Sequence, residues 1–159
     1  MARLSDADAM KKLISEVFRL PSGSLIAQFY CVDDLGQPVR AVSETLLDLI
    51  SEASTKGEAE LEGLVLQMER GLYVPSNPDL PDWSVNDKYV WLRPPMAKIG
   101  HICVSNENGE DFSQDEGEPQ QFTIEQFRAA LTHWRNFKAL MDAQGRDAFI
   151  GRRFETDAW

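Results

Sequence analysis

Apolar and polar positions along the chain alternate in a few distinct rhythms, each bounded by turn residues. Met10, Leu13, Ile14, Val17 and Phe18 recur at helical spacing behind Ser5, a good cap, and Asp6 and Asp8, which suit a helix N-terminus. A first helix is therefore expected from Ser5 to the stop at Pro21-Ser22-Gly23. SLIAQFYCV, residues 24–32, is apolar on both faces and rich in strand formers, so it predicts a central strand, followed by the turn-rich DDLGQP at 33–38. A second helix should begin near Ser43, bury Leu46, Leu47, Leu49, Ile50 and Ala53, and end at Gly57. The stretch 58–72 fits a helix through Leu61, Leu64, Val65, Met68 and Leu72, or a strand through Leu64, Leu66 and Met68; the helix is favoured in spite of Gly63.

The second half opens with VPSNPDLPDWSVND, residues 74–87, whose three prolines and lack of any period predict a long loop. KYVWLRP, 88–94, and AKIGHICVS, 97–105, read as adjacent strands around Pro94-Pro95, and Asn108-Gly109 as a tight turn into a short edge piece at 110–113. Thr123 should cap a strong final helix with the stripe Phe127, Ala130, Leu131, Trp134, Leu140 and Met141, closed by Gly145. The tail keeps Phe149, Ile150, Phe154 and Trp159, enough to pack part of it down. Adjacent strands among helices predict an α+β fold: one antiparallel sheet of about three to five strands on about four helices, a single pair of layers, in one globular domain spanning 1–159.

Charge changes this picture most. The net charge of −10 is unevenly spread: residues 1–105 carry 10 basic and 15 acidic side chains, whereas NENGEDFSQDEGEPQQ, 106–121, carries six carboxylates and no base. Such a balance argues against direct nucleic-acid binding, where cations must replace the counterions of phosphates. It favours docking on a basic protein, because opposite fields speed encounter. As a calcium loop the stretch fails, since a glycine at the sixth position puts Val104 or Phe112 where the first oxygen ligand belongs. A nucleic-acid mimic, for which six carboxylates in one loop fall short of a large phosphate-like surface, a solvated connection and a partner-binding loop remain, the last kept alive by Phe112, an aromatic within a charged rim.

Catalytic signatures are absent: there is no GxSxG, CxxC, phosphate loop or dinucleotide-binding glycine pattern. His101, Cys103 and Cys31 would make a three-ligand zinc set, but packing of buried thiols is the simpler expectation, and no metal or cofactor is expected. An enzymatic alternative uses His101 and His133 as an acid/base pair, with Lys98 or Arg135 steadying a transition state as in a metal-free ribonuclease. Asp79, Asp82 and Asp87 flank Trp83, while Tyr89 and Trp91 alternate on one strand face; these suit either a basic partner or the cover of an open sheet. With no signal-like start, no membrane-spanning apolar run and two cysteines in strand-like contexts, a cytoplasmic location is expected. The best expectation is a non-enzymatic binding protein, such as an inhibitor or immunity protein that neutralises a basic, nuclease-like toxin. Its contacts would be Asp111, Phe112, Asp115, Glu116 and Glu118 with Asp82, Trp83 and Asp87. An adaptor with the same acidic docking surface is the further alternative.

Overall fold

A computed structural model of the chain describes residues 11–73, 79–85, 88–93, 95–101 and 120–159. Seven strands occur among them: β1 (Lys11–Arg19), β2 (Leu25–Asp33), β3 (Trp83–Val85), β4 (Lys88–Arg93), β5 (Met96–His101), β6 (Gln120–Thr123) and β7 (Phe154–Glu155). Among the described residues three stretches are α-helical, and Arg146–Phe149 adds a single 3-10 turn. In α1 the segments Arg40–Val42, a wider-coiled Ser43–Leu47 and Asp48–Lys56 run on without a break; α2 is Glu58–Glu69 and α3 is Ile124–Gln144. The chain divides into two compact units, Met1–Ser43 with Thr132–Trp159, and Glu44–Leu131. Among the described residues no helix is long and apolar enough to cross a membrane.

The first unit carries a three-stranded antiparallel sheet in the order β2-β1-β7. Its central strand corrects the expected first helix. Leu13 to Val17 are buried in an unbroken run that includes Ser15 and Glu16. A helix would have turned those two polar residues toward water, whereas a central strand covered on both of its faces buries successive residues. Helical spacing and a strand buried on both faces share the positions 13, 14 and 17, while Phe18 is left exposed, and long-range pairing decides between the two. Pro21-Ser22-Gly23 closes a hairpin instead of stopping a helix: Leu20 N–H donates to Ser24 O at 2.8 Å, and Gly23 takes φ 91°.

β2 lies at the sheet edge, not at its centre. Its apolar character has a local cause, because the returning chain covers one end of that edge. Val39 N–H donates to Cys31 O at 2.9 Å, and Cys31 N–H donates to Ser43 Oγ at 3.0 Å. The core is an aromatic chain: Phe29 stacks on Trp134 (centroids 5.1 Å apart), Trp134 meets Phe137 (5.7 Å), and Phe137 meets Phe149 (5.8 Å) and Phe154 (5.3 Å). The expected α3 stripe is otherwise buried, but Leu140 is exposed and Phe137 takes an inward place. In the tail Phe149 is fully buried and β7 pairs Phe154 with Ser15, whereas Ile150 is exposed.

The second unit carries a four-stranded antiparallel sheet, β3-β4-β5-β6. Two sheets and three helices thus replace the expected single sheet, four helices and one pair of layers. Residues 74–87 are not all loop, since Trp83–Val85 pairs with Lys88–Val90; three residues are too few to show a period. Val90, Leu92, Ala97, Ile99 and Phe122 form the inner face, with Asp48–Lys56 packed against β3 and α2 against β4. Gly57, at φ 140°, separates α1 from α2. Burial of Leu61, Val65 and Met68 outweighs the cost of Gly63 in α2, so the helix forms as favoured. Lys88 belongs to this inner face too, its ammonium 3.1 Å from Glu52 Oε1, which supplies the opposite charge a buried lysine requires. Thr123 and Gln126 cap α3 reciprocally, at 2.9 and 3.1 Å, and Gly145 closes it at φ 87°.

Candidate functional site

Strand alternation turns Tyr89, Trp91 and Arg93 away from the buried Val90 and Leu92, onto the outer face of the four-stranded sheet. Register then builds a patch across three strands. Trp91 stands opposite Lys98, Lys98 opposite Gln121, and Arg93 opposite Met96. These five residues and Asp79 line an open groove of about 450 Å³. Lys98 Nζ lies 5.3 Å above the centre of the Trp91 ring, within cation–π range, and Tyr89 leans on Trp91 with centroids 6.4 Å apart.

Asp82 sets one end of this patch. Asp82 N–H donates to Val90 O at 2.7 Å, and its carboxylate accepts the Leu92 N–H at 2.7 Å. The side chain therefore extends the strand pairing just before β3 begins and gives the Leu92 N–H of β4 its acceptor. The same carboxylate, only 2% exposed, pairs with Arg93 Nη1 and accepts a hydrogen bond from the Tyr73 hydroxyl. Tyr73 is raised above its usual pKa by burial first and then by the charge and hydrogen bond of Asp82, with Arg93 acting against them.

The sequence-predicted residues separate accordingly. Asp82 is engaged inside the chain. Trp83 is half-buried against the turn between α1 and α2, where a Cβ on Gly57 would lie 3.6 Å from its Cζ2. Asp87, Cys103, Asp111, Phe112, Asp115, Glu116 and Glu118 lie outside the described residues, as do the Asn108-Gly109 turn and the edge piece at 110–113. His101 ends β5 in the second unit, whereas His133 belongs to the first. His133 stacks on Phe29 with centroids 5.5 Å apart, and burial lowers its pKa, so the ring is held neutral at pH 7. Its Nε2 is buried without a hydrogen-bond partner. Arg135, proposed beside it, is exposed on α3.

Cys31 is a fully buried free thiol whose pKa is pushed up to about 12, chiefly by burial, which makes it a packing residue and a poor nucleophile. Among the described residues no group of three His, Cys, Asp or Glu side chains is placed to hold a metal. Reading the sequence for Tyr89 and Trp91 located the patch but omitted Arg93, Met96, Lys98 and Gln121 from it. Continuing the alternation to Arg93 and folding the strand back across Pro94-Pro95 would have found Met96 and Lys98. Compared with known proteins, the chain matches no family model, no curated protein and no solved structure.

Proposed function

We propose that this is a non-enzymatic binding protein that docks another protein on the outer face of its four-stranded sheet. The supporting observation is the row Tyr89, Trp91 and Arg93, half-buried on a face where Lys98 and Met96 border a groove. Trp, Tyr and Arg dominate the energetics of protein interfaces because they bring large rigid area and directional donors at small entropic cost. A half-exposed tryptophan on an open sheet face has the same character before its partner arrives.

Charge suggests the kind of partner. Six carboxylates lie in residues 106–121, in the stretch that joins β5 to β6, the two strands that supply Met96, Lys98 and Gln121 to the groove. A basic partner would be steered by that stretch and held by the groove, as an inhibitor or immunity protein holds a basic toxin. The test is capture from the native host with the full chain as bait, at low and high salt. A basic partner should be recovered at low salt, less at high salt, and lost with Trp91→Ala. Asp115→Lys with Glu116→Lys should slow association while leaving the fold intact. Recovery of nothing at either salt, or equal recovery by Trp91→Ala, would sink this reading.

A further inference from the structure

The groove does not offer its polar groups evenly. The carboxylates in and behind it are already committed: Asp79, which lines it, is engaged in an interaction of its own, and the buried Asp82 behind Arg93 holds Leu92 N–H, Arg93 and Tyr73. Arg93 is committed in turn to Asp82. Lys98 and Gln121 differ from both. They stand opposite each other on β5 and β6, both exposed, and among the described residues neither the ammonium nor the amide has a hydrogen-bonded or ionic partner. Among the described residues the Lys98 ammonium meets the Trp91 ring, which supplies no hydrogen-bond acceptor in the ring plane. Across three strands the row therefore reads indole, ammonium, amide, with unused capacity weighted toward donors.

We propose that the row Trp91, Lys98 and Gln121 receives a carboxylate, carried by an aspartate or glutamate next to a flat apolar side chain in the docking segment of the partner. The oxygens would take the Lys98 ammonium and the Gln121 amide N–H, while the neighbouring side chain lies along Trp91 and Met96. This rests on the reading of the face as a docking surface and adds a division of labour to it. Basic groups of the partner lie away from the groove, and an acidic group seats in it. A partner uniformly basic over its contact surface would place a cation beside Lys98 and Arg93, which like-charge repulsion opposes.

The test needs no partner. The full-length protein, labelled with ¹⁵N, is titrated with the blocked dipeptide acetyl-Asp-Phe-amide, its neutral counterpart acetyl-Asn-Phe-amide, and adenosine monophosphate. The indole N–H of Trp91 and the side-chain amide of Gln121 are followed. The acidic dipeptide should move both signals and bind about three- to fivefold more tightly than the neutral one, as expected for an exposed ion pair. Lys98→Met should remove that preference while the rest of the spectrum stays that of the folded chain. Equal binding of the two dipeptides, or no movement of either signal, overturns the proposal. Tighter binding of adenosine monophosphate than of the acidic dipeptide overturns it as well, assigning the face to a phosphate-bearing ligand. Equal dipeptide binding together with Trp91-dependent partner capture would remove the carboxylate and leave the docking reading standing.

Discussion

The two sheets use aromatic residues in opposite ways. In the three-stranded sheet Phe29 is covered by Trp134, and the contact chain continues through Phe137 to Phe149 and Phe154. In the four-stranded sheet Tyr89 and Trp91 lean on one another on the outer face, with a lysine above the tryptophan. Ring type does not separate the two groups; cover does. A ring closed in by other rings contributes to stability, and a ring bordered by charges and a groove keeps its area for a partner.

Truncation is the most direct way to break this contrast. Phe137 is 2% exposed and touches three other rings, so Phe137→Ala should cost about 3–5 kcal/mol, the range for emptying a large core site. Trp91→Ala should cost only about 1 kcal/mol, mostly the lost contact with Lys98. Urea denaturation of both variants decides the matter. Similar losses would mean that Trp91 is core and that the outer face is merely a rind over it.

A second, smaller effect sharpens the contrast within the patch itself. Asp82→Asn keeps an acceptor for Leu92 N–H but removes the charge that holds Arg93 and raises Tyr73. Loss of a charged hydrogen bond at a buried carboxylate suggests about 1–2 kcal/mol, discounted because the Arg93 side chain is 36% exposed. The Tyr73 hydroxyl should also titrate lower than in the parent protein, nearer its ordinary pKa of 10.0, which a tyrosine-resolved NMR titration would read. An unchanged Tyr73 titration would show that burial alone raises it and that Asp82 does not organise this corner.

What the chain disclosed in advance follows the same division between local and long-range causes. The final helix was legible in detail, since Thr123, Gln126 and Gly145 act within a few residues of themselves. So were the second helix and, over the described residues, the strand pair Lys88–Arg93 and Met96–His101. The first strand was not: its identity depends on β2 and β7, and the latter lies well over a hundred residues away. Splitting of the strands between two sheets escaped for the same reason, because no local pattern says which strand joins which sheet. In the candidate site the alternation of Tyr89 and Trp91 was readable, while Lys98 and Gln121 entered only through register. Asp82 looked like a surface carboxylate in an acidic loop, and its role at the start of β3 depends on a backbone donor ten residues on.

The smallest expected effect concerns His133, a titratable ring stacked on Phe29 beside the aromatic core of the three-stranded sheet. Burial lowers its pKa below the ordinary 6.5, so the folded chain binds this proton less readily than the unfolded chain. The sign follows. Above 6.5 both states hold a neutral ring and the histidine adds no pH dependence. As the pH falls below 6.5 the unfolded state gains a proton first, and stability is lost until the folded-state pKa is passed, at no more than about 1.4 kcal/mol per pH unit. His133→Phe preserves a ring against Phe29 and removes the proton. The variant should therefore lose less stability than the parent between pH 6.5 and the onset of general acid unfolding, both followed by urea midpoints. Carboxylates titrate in both proteins and cancel from the difference. If the two midpoints fell in parallel, the His133 imidazole would have to be as well solvated or hydrogen-bonded folded as unfolded, and the description of its Nε2 as buried without a partner would be wrong.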